Sequence, residues 1–224
     1  MQSKENTMLR KSWNTWNGML GLAFAALLSI SGLARADLPS PDAVVRGTSE
    51  DVLRQVADDK ELRSGNTTKL IELIETKILP HFDVAKMTRL AVGKNWPRAT
   101  SEQQRELVKQ FQTLLVRSYG AAYSAYRQVK VEVSPLKLAG GETDVTVKSK
   151  ILLPGGAPPV SVDYAMNSTD TGWKVYNVVV EGVSLVTTYR NDFAAQIEQG
   201  GIDGLIKNLQ DRNAKALQPA APKK

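Results

Sequence analysis

Hydrophobic positions recur with helical spacing in the first half of the chain and switch to strict alternation in the second. Ser40-Pro41 places a cap residue before a proline at the first helical position, where a missing N–H is harmless. Val45, Val52 and Val56 then share one side of a helix that runs to about Asp59, and Gly65-Asn66 breaks it. Thr67 or Thr68 is placed to cap a second helix with the face Leu70, Ile71, Ile74 and Ile78, which Pro80 ends. Asp83 can cap a short third helix holding Val84, Met87 and Leu90.

The strongest helical signal follows. Thr100 and Gln103 have the capping-box spacing, in which hydroxyl and amide each satisfy a backbone N–H at the helix start. Leu107, Val108, Phe111, Leu114, Leu115, Ser118, Tyr119 and Ala122 then form one stripe, with Arg105, Glu106, Lys109 and Gln112 opposite. The pattern predicts a long helix to about Tyr126, lying across a sheet. That sheet is announced by four alternating runs: Val131 and Val133; Val145, Val147 and Ile151; Val160, Val162, Tyr164 and Met166; and Trp173 to Val180. Gly140-Gly141, Pro154-Gly155-Gly156 and Asp170-Thr171-Gly172 supply the turns. Leu185, Tyr189 and Phe193, then Gly200-Gly201, then Ile202, Leu205, Ile206 and Leu209 return the chain to helix, and Pro219 to Lys224 reads as a frayed tail. The predicted fold class is α+β, an antiparallel four- to five-stranded meander covered by helices.

The N-terminal stretch stands apart. Lys4, Arg10 and Lys11 precede an apolar run from Met19 to Leu33, and Ala34-Arg35-Ala36 offers small residues where a signal peptidase reads. Residues 1–36 are therefore expected to be a cleaved secretory signal peptide, leaving one domain over 37–217 and a tail over 218–224. The apolar run is short for a bilayer span and is interrupted by Gly21, Ser29, Ser31 and Gly32. Cleavage also changes the charge. The 224-residue chain has 29 basic and 23 acidic side chains, whereas the mature 188 residues would have 25 and 22, a net charge of +3 rather than +6. Basic and acidic residues are interspersed, without the basic stripe and stacking aromatics of a nucleic-acid reader.

Composition removes much of the available chemistry. The chain has no cysteine and one histidine, which excludes disulfides, a thiol nucleophile and any site needing two imidazoles. His81-Phe82-Asp83 could be a general base oriented by an acid. It reads more readily as a surface histidine after Pro80 and an aspartate capping a helix. Ser134 and Lys137 have the serine–lysine spacing of penicillin-interacting enzymes, but that pair needs a helix and here sits among strand residues with Pro135 between. No nucleotide-binding glycine motif is present. The residue pattern thus predicts a protein without catalytic set or cofactor. What it has in surplus is apolar side chains. A filled core is the first expectation for such stripes, and spacing does not distinguish it from a hollow one.

The run Trp173 to Leu185, WKVYNVVVEGVSL, is the most specific in the chain. With Thr187-Thr188-Tyr189-Arg190, Phe193 and Gly201-Ile202-Asp203-Gly204-Leu205 it resembles the MlaC family, also called the toluene-tolerance family. Ile78-Leu79-Pro80, the stretch Ala91 to Trp96, Thr100-Ser101-Glu102-Gln103 and Tyr119-Gly120 extend the likeness over about Pro41 to Leu217. Asn177 departs from it, since members often carry aspartate there. The resemblance implies a nuclear-transport-factor-2-like cone with additional helices, holding one diacyl phospholipid. It implies a monomeric periplasmic carrier working between an outer-membrane lipoprotein complex and an inner-membrane ABC transporter with an MCE-domain protein, maintaining outer-membrane lipid asymmetry. The expected lipid-binding residues are Phe111, Leu114, Leu115 and Tyr119 on the long helix, and Val147, Val162, Tyr164, Met166 and Val175 on the sheet. Two other readings remain: a hydrolase built on His81, and an adaptor with a filled core and no ligand.

Overall fold

The computed structural model describes residues 38–125 and 129–215, with the backbone alone over 121–125; the expected signal peptide and tail lie outside them. The helices come first: α1 (Pro41–Asp58), α2 (Lys60–Ser64), α3 (Thr67–Leu73), α4 (Val84–Val92) and α5 (Ser101–Ala125). Strands β1 (Lys130–Val133), β2 (Asp144–Leu152), β3 (Val160–Thr169), β4 (Gly172–Val180) and β5 (Val183–Ser184) follow, and α6 (Leu185–Lys215) closes the order. Among the described residues no helix is long and apolar enough to cross a membrane.

Local chemistry sets most helix starts where the residue pattern placed them. The capping box is formed in both directions, Gln103 N–H donating to the Thr100 hydroxyl at 3.2 Å and Thr100 N–H to Gln103 Oε1 at 2.9 Å. Asp83 caps α4 by accepting from Lys86 N–H at 2.8 Å. Two details differ. The Ser40 hydroxyl donates to Asp42 instead of capping α1. Asn66, not a threonine, caps α3 by accepting from Lys69 N–H, because both threonines already lie in the first turn. A further short helix, α2, precedes it, capped by Asp59. Beyond α3 the chain passes through a π-helical turn (Ile74–Ile78) and a 3-10 turn (Leu79–His81) that holds Pro80, after which Phe82 is extended.

The sheet is a meander in the order β1-β2-β3-β4-β5, antiparallel throughout. Its register places Val131 against Ile151, Ile151 against Val160, Val147 against Tyr164 and Tyr164 against Val178. Between Ala165 and Met166 the register with β4 shifts: Asn177 faces Ala165 but Val175 faces Met166. Tyr176 is the extra residue of a bulge, and such an insertion reverses which face later side chains take. Trp173, Val175, Val178 and Val180 thereby all join the face carrying Met166, Tyr164 and Val162. The apparent two-faced apolarity of this strand is one face seen across a bulge.

Three apolar clusters hold these elements together. The largest joins α4, α5 and α6 through Met87, Ala91, Leu107, Phe111, Leu114, Tyr189, Phe193, Leu205 and Leu209. Phe111 meets Tyr189 and Phe193 edge-on, with ring centroids 4.9 and 5.2 Å apart. The second gathers Val52 and Val56 of α1, Leu62, Leu70 and Leu73, Ile74 and Val116 of α5. The third lies on the sheet: Val133, Val147, Met166 and Val175 under Val45 of α1.

The expectation that the long helix lies across the sheet is corrected here. α5 packs against α3, α4 and α6, and it is α1 that rests on β1 and β2. The apolar stripe of α5 is matched by two other helices rich in large side chains, so it is satisfied within a helical layer. α6 makes that layer compact by folding back at Gly201, whose φ of 68° and ψ of −171° only glycine adopts readily. The fold-back brings Arg212 within 2.9 Å of Asp192, residues that an unbroken helix would hold about 30 Å apart.

Candidate functional site

The inner face of the sheet is a single apolar surface. β2 contributes Val145, Val147 and Ile151, β3 contributes Val160, Val162, Tyr164 and Met166, and β4 contributes Trp173, Val175, Val178 and Val180. Ser149 interrupts the aliphatic run of β2, and its hydroxyl donates to the Val162 carbonyl at 2.9 Å; Ser168, opposite Trp173, is the exposed end of the face on β3.

Coverage of this face is uneven. At its centre Val147, Met166 and Val175 are at most 3% exposed, beneath α1 and Phe82, and Val162 is buried as well. Ile151 and Val160 and, on β4, Val178 and Val180 are only half-buried, as are Val145 and Trp173 at the opposite end. Tyr164, between Val162 and Met166 along β3, is half-buried too, and burial pushes its hydroxyl pKa up.

Nine residues were expected to form the site, and the structure brings five of them together: Val147, Val162, Tyr164, Met166 and Val175 share the inner face. Phe111 and Leu114 are elsewhere, locked in the α4–α5–α6 cluster, with Leu115 packed at its margin. Tyr119 is 39% exposed, and it lies against Tyr189, whose hydroxyl pKa is raised first by burial and then by Tyr119. The aromatic trio Phe111, Tyr189 and Phe193 explains the separation: edge-to-face packing with α6 leaves the Phe111 ring no free side. Residue alternation displayed Ile151 and Val160, but not Val178 and Val180, because a bulge is invisible to period two.

His81 and Asp83 are engaged separately. The Asp83 carboxylate is occupied at the start of α4, and the strand bridge beside it has Asp83 N–H donating to the Val175 carbonyl at 2.8 Å. His81 is half-buried, and its pKa is lowered by that burial and by the Lys174 ammonium, with no carboxylate to support it. Lys174 itself donates to the Pro80 carbonyl at 2.6 Å. Two open depressions lie elsewhere, of about 620 Å³ between α5 and α6 and about 460 Å³ beside Phe82, Gln112 and Lys174; neither is lined by any of the nine residues.

Asn177 turns out to be structural. Its carbonyl oxygen accepts from the Ser184 hydroxyl at 3.1 Å and from Val186 N–H at 3.2 Å, which caps α6 from the neighbouring strand. An amide oxygen serves that purpose as an aspartate would.

Comparison with known proteins agrees with this architecture. The toluene tolerance protein ttg2D of Pseudomonas putida is 27% identical over 197 residues, covering 87% of this chain and 91% of that protein. The intermembrane phospholipid transport system binding protein MlaC of Haemophilus influenzae is 24% identical over 174 residues, or 73% and 81% of the two chains. Among solved structures, a phospholipid-binding protein from Ralstonia solanacearum in complex with a phospholipid matches with a TM-score of 0.74 and 36% identity, over 80% of this chain and all of that one. The family described as MlaC protein matches residues 46–211, and with that span and this fold the chain belongs to the MlaC family.

Proposed function

We propose that this protein is a periplasmic phospholipid carrier, which takes up one diacyl phospholipid with its acyl chains against the inner face of the sheet. The observation that carries the reading is the incomplete coverage of that apolar face, where Tyr164, Ile151, Val160, Val178 and Val180 are only half-buried. The solved relative with bound phospholipid and the export-signal pattern of the first 36 residues support it.

Energetics define what such a site must do. Burying a methylene is worth about 0.8 kcal/mol, so two sixteen-carbon tails correspond to roughly 20 kcal/mol or more of transfer from water. A bilayer already provides almost all of this. A carrier wall therefore has to match lipid rather than exceed it, or the cargo would never leave. Valine, isoleucine and one tyrosine ring, with Ser149 already hydrogen-bonded, make such a wall. The head group stays at the mouth in water. On this reading the protein shuttles lipid between an outer-membrane lipoprotein complex and an inner-membrane ABC transporter bearing an MCE-domain protein, and the partners set the direction. The reading is tested by mass spectrometry of solvent extracts alongside the native mass of the purified protein. About one diacyl phospholipid per chain is expected. A ligand-free protein that also refuses added phospholipid would overturn it and leave a filled-core adaptor.

A further inference from the structure

The β2–β3 connection begins and ends at Ile151 and Val160, which are half-buried on the inner face. From Leu152 to Val160 it reads LLPGGAPPV, nine residues without a charge or a side-chain hydrogen-bonding group. Leu152 and Leu153 are half-buried, and the six residues from Pro154 to Pro159 are all exposed. Val183, 60% exposed, opens β5 just after the adjoining β4–β5 turn. That turn is held beside the loop by Glu181, whose N–H donates to the Ser161 carbonyl at 3.0 Å while its carboxylate accepts from Ser161 N–H.

From this arrangement we infer that the β2–β3 loop and Val183 form a bilayer-docking lip at the mouth of the acyl-chain site; the inference rests on the carrier reading above. The loop's chemistry suits a lipid surface. Three of its nine residues are prolines with no N–H, so fewer backbone donors lose water on entering an interface. It lacks the Trp, Tyr and Arg anchors that carry protein–protein hot spots. Just beneath it, Lys148 and Lys150 project from the outer face of β2, exposed and in no ion pair with a described residue. Asp163 lies opposite Lys148, and Glu132, opposite Lys150, is taken by Lys130 at 2.9 Å. Lysines set behind an apolar tip reach anionic head groups while the tip enters the interface. A lip of this kind lets acyl chains pass between bilayer and protein without crossing water.

The test is flotation with vesicles of phosphatidylethanolamine and phosphatidylglycerol, compared with vesicles of phosphatidylcholine alone, together with lipid content by mass spectrometry. The wild-type protein is expected to float with the anionic vesicles. A Leu153→Glu, Ala157→Glu variant is expected to lose at least tenfold in vesicle binding while still holding one phospholipid per chain. Lys148→Gln with Lys150→Gln should weaken binding to the anionic vesicles by about fivefold per lysine, and binding to the neutral ones hardly at all. A wild-type protein that carries lipid but ignores both vesicle types overturns the lip and leaves the carrier reading intact. So does association that appears only once a membrane protein is reconstituted, which would make the loop's partner a protein. A protein that neither floats nor carries lipid overturns the carrier reading itself.

Discussion

Val178→Thr separates a hollow interior from a filled one. Val178 faces Tyr164 across the β3–β4 register and is half-buried on the inner face. Threonine keeps the branched shape and suits a strand, but exchanges a methyl for a hydroxyl. If the surface borders a void that fills with water when empty, the hydroxyl is solvated in the unliganded protein, and stability should stay within about 0.5 kcal/mol of wild type. Lipid binding would then strip that water. An unmet hydroxyl costs about 1–3 kcal/mol in protein mutational data, and at 1.4 kcal/mol per decade the affinity should fall about five- to a hundredfold. Val147→Thr is the control. Val147 is 1% exposed beneath α1, so the same exchange there should lower stability by about 1–3 kcal/mol with or without lipid. The assays are urea unfolding of delipidated protein and titration with a fluorescent phospholipid. If Val178→Thr loses as much stability as Val147→Thr and binds lipid as tightly as wild type, the inner face is packed solid and the reasoning fails.

Three further outcomes are expected. Asn177→Ala should destabilise the protein by about 1 kcal/mol, seen as a lower Tm, because α6 loses its cap, while Asn177→Asp should restore the acceptor and add favourable charge at the helix start. Gly201→Ala should cost about 1–3 kcal/mol in denaturant unfolding, since the alanine must occupy a backbone region open to glycine alone; an unchanged midpoint would mean that the fold-back of α6 adjusts freely. The acid side of the stability profile should depend on Glu106, whose carboxyl is held below its ordinary value of 4.5 by hydrogen bonds from Gln110 and then Gln210. Its contribution is complete above pH 4.5 and fades as the pH falls through the lowered native value. Glu106→Gln should therefore flatten the decline of Tm below pH 4.5 relative to wild type.

Much of this protein is decided within a few residues of chain. The capping box at Thr100 and Gln103, the Asp83 cap, the glycine break in α6 and the alternation of β2 and β3 are local, and each is readable because neighbours in sequence are neighbours in space. The same locality displayed Val147, Val162, Tyr164 and Met166 as one face. The WKVYNVVVEGVSL run, together with the blocks on either side of it, pointed to the family that the comparisons then gave. Partner choice among helices is a different matter. Phe111 and Leu114 have the spacing of any apolar stripe, and whether they meet the sheet or α6 depends on which facing surface offers the better fit; the Tyr189 and Phe193 rings, some eighty residues away, settled it. The bulge at Tyr176 is likewise a product of strand pairing, since an extra residue exists only relative to a partner strand. How far an apolar face is covered follows from which helices reach it, α1 over β1 and β2 and α4 and α6 at β4. Side-chain identity determined that this face would be apolar, and only the three-dimensional packing decided how far each part of it would be covered.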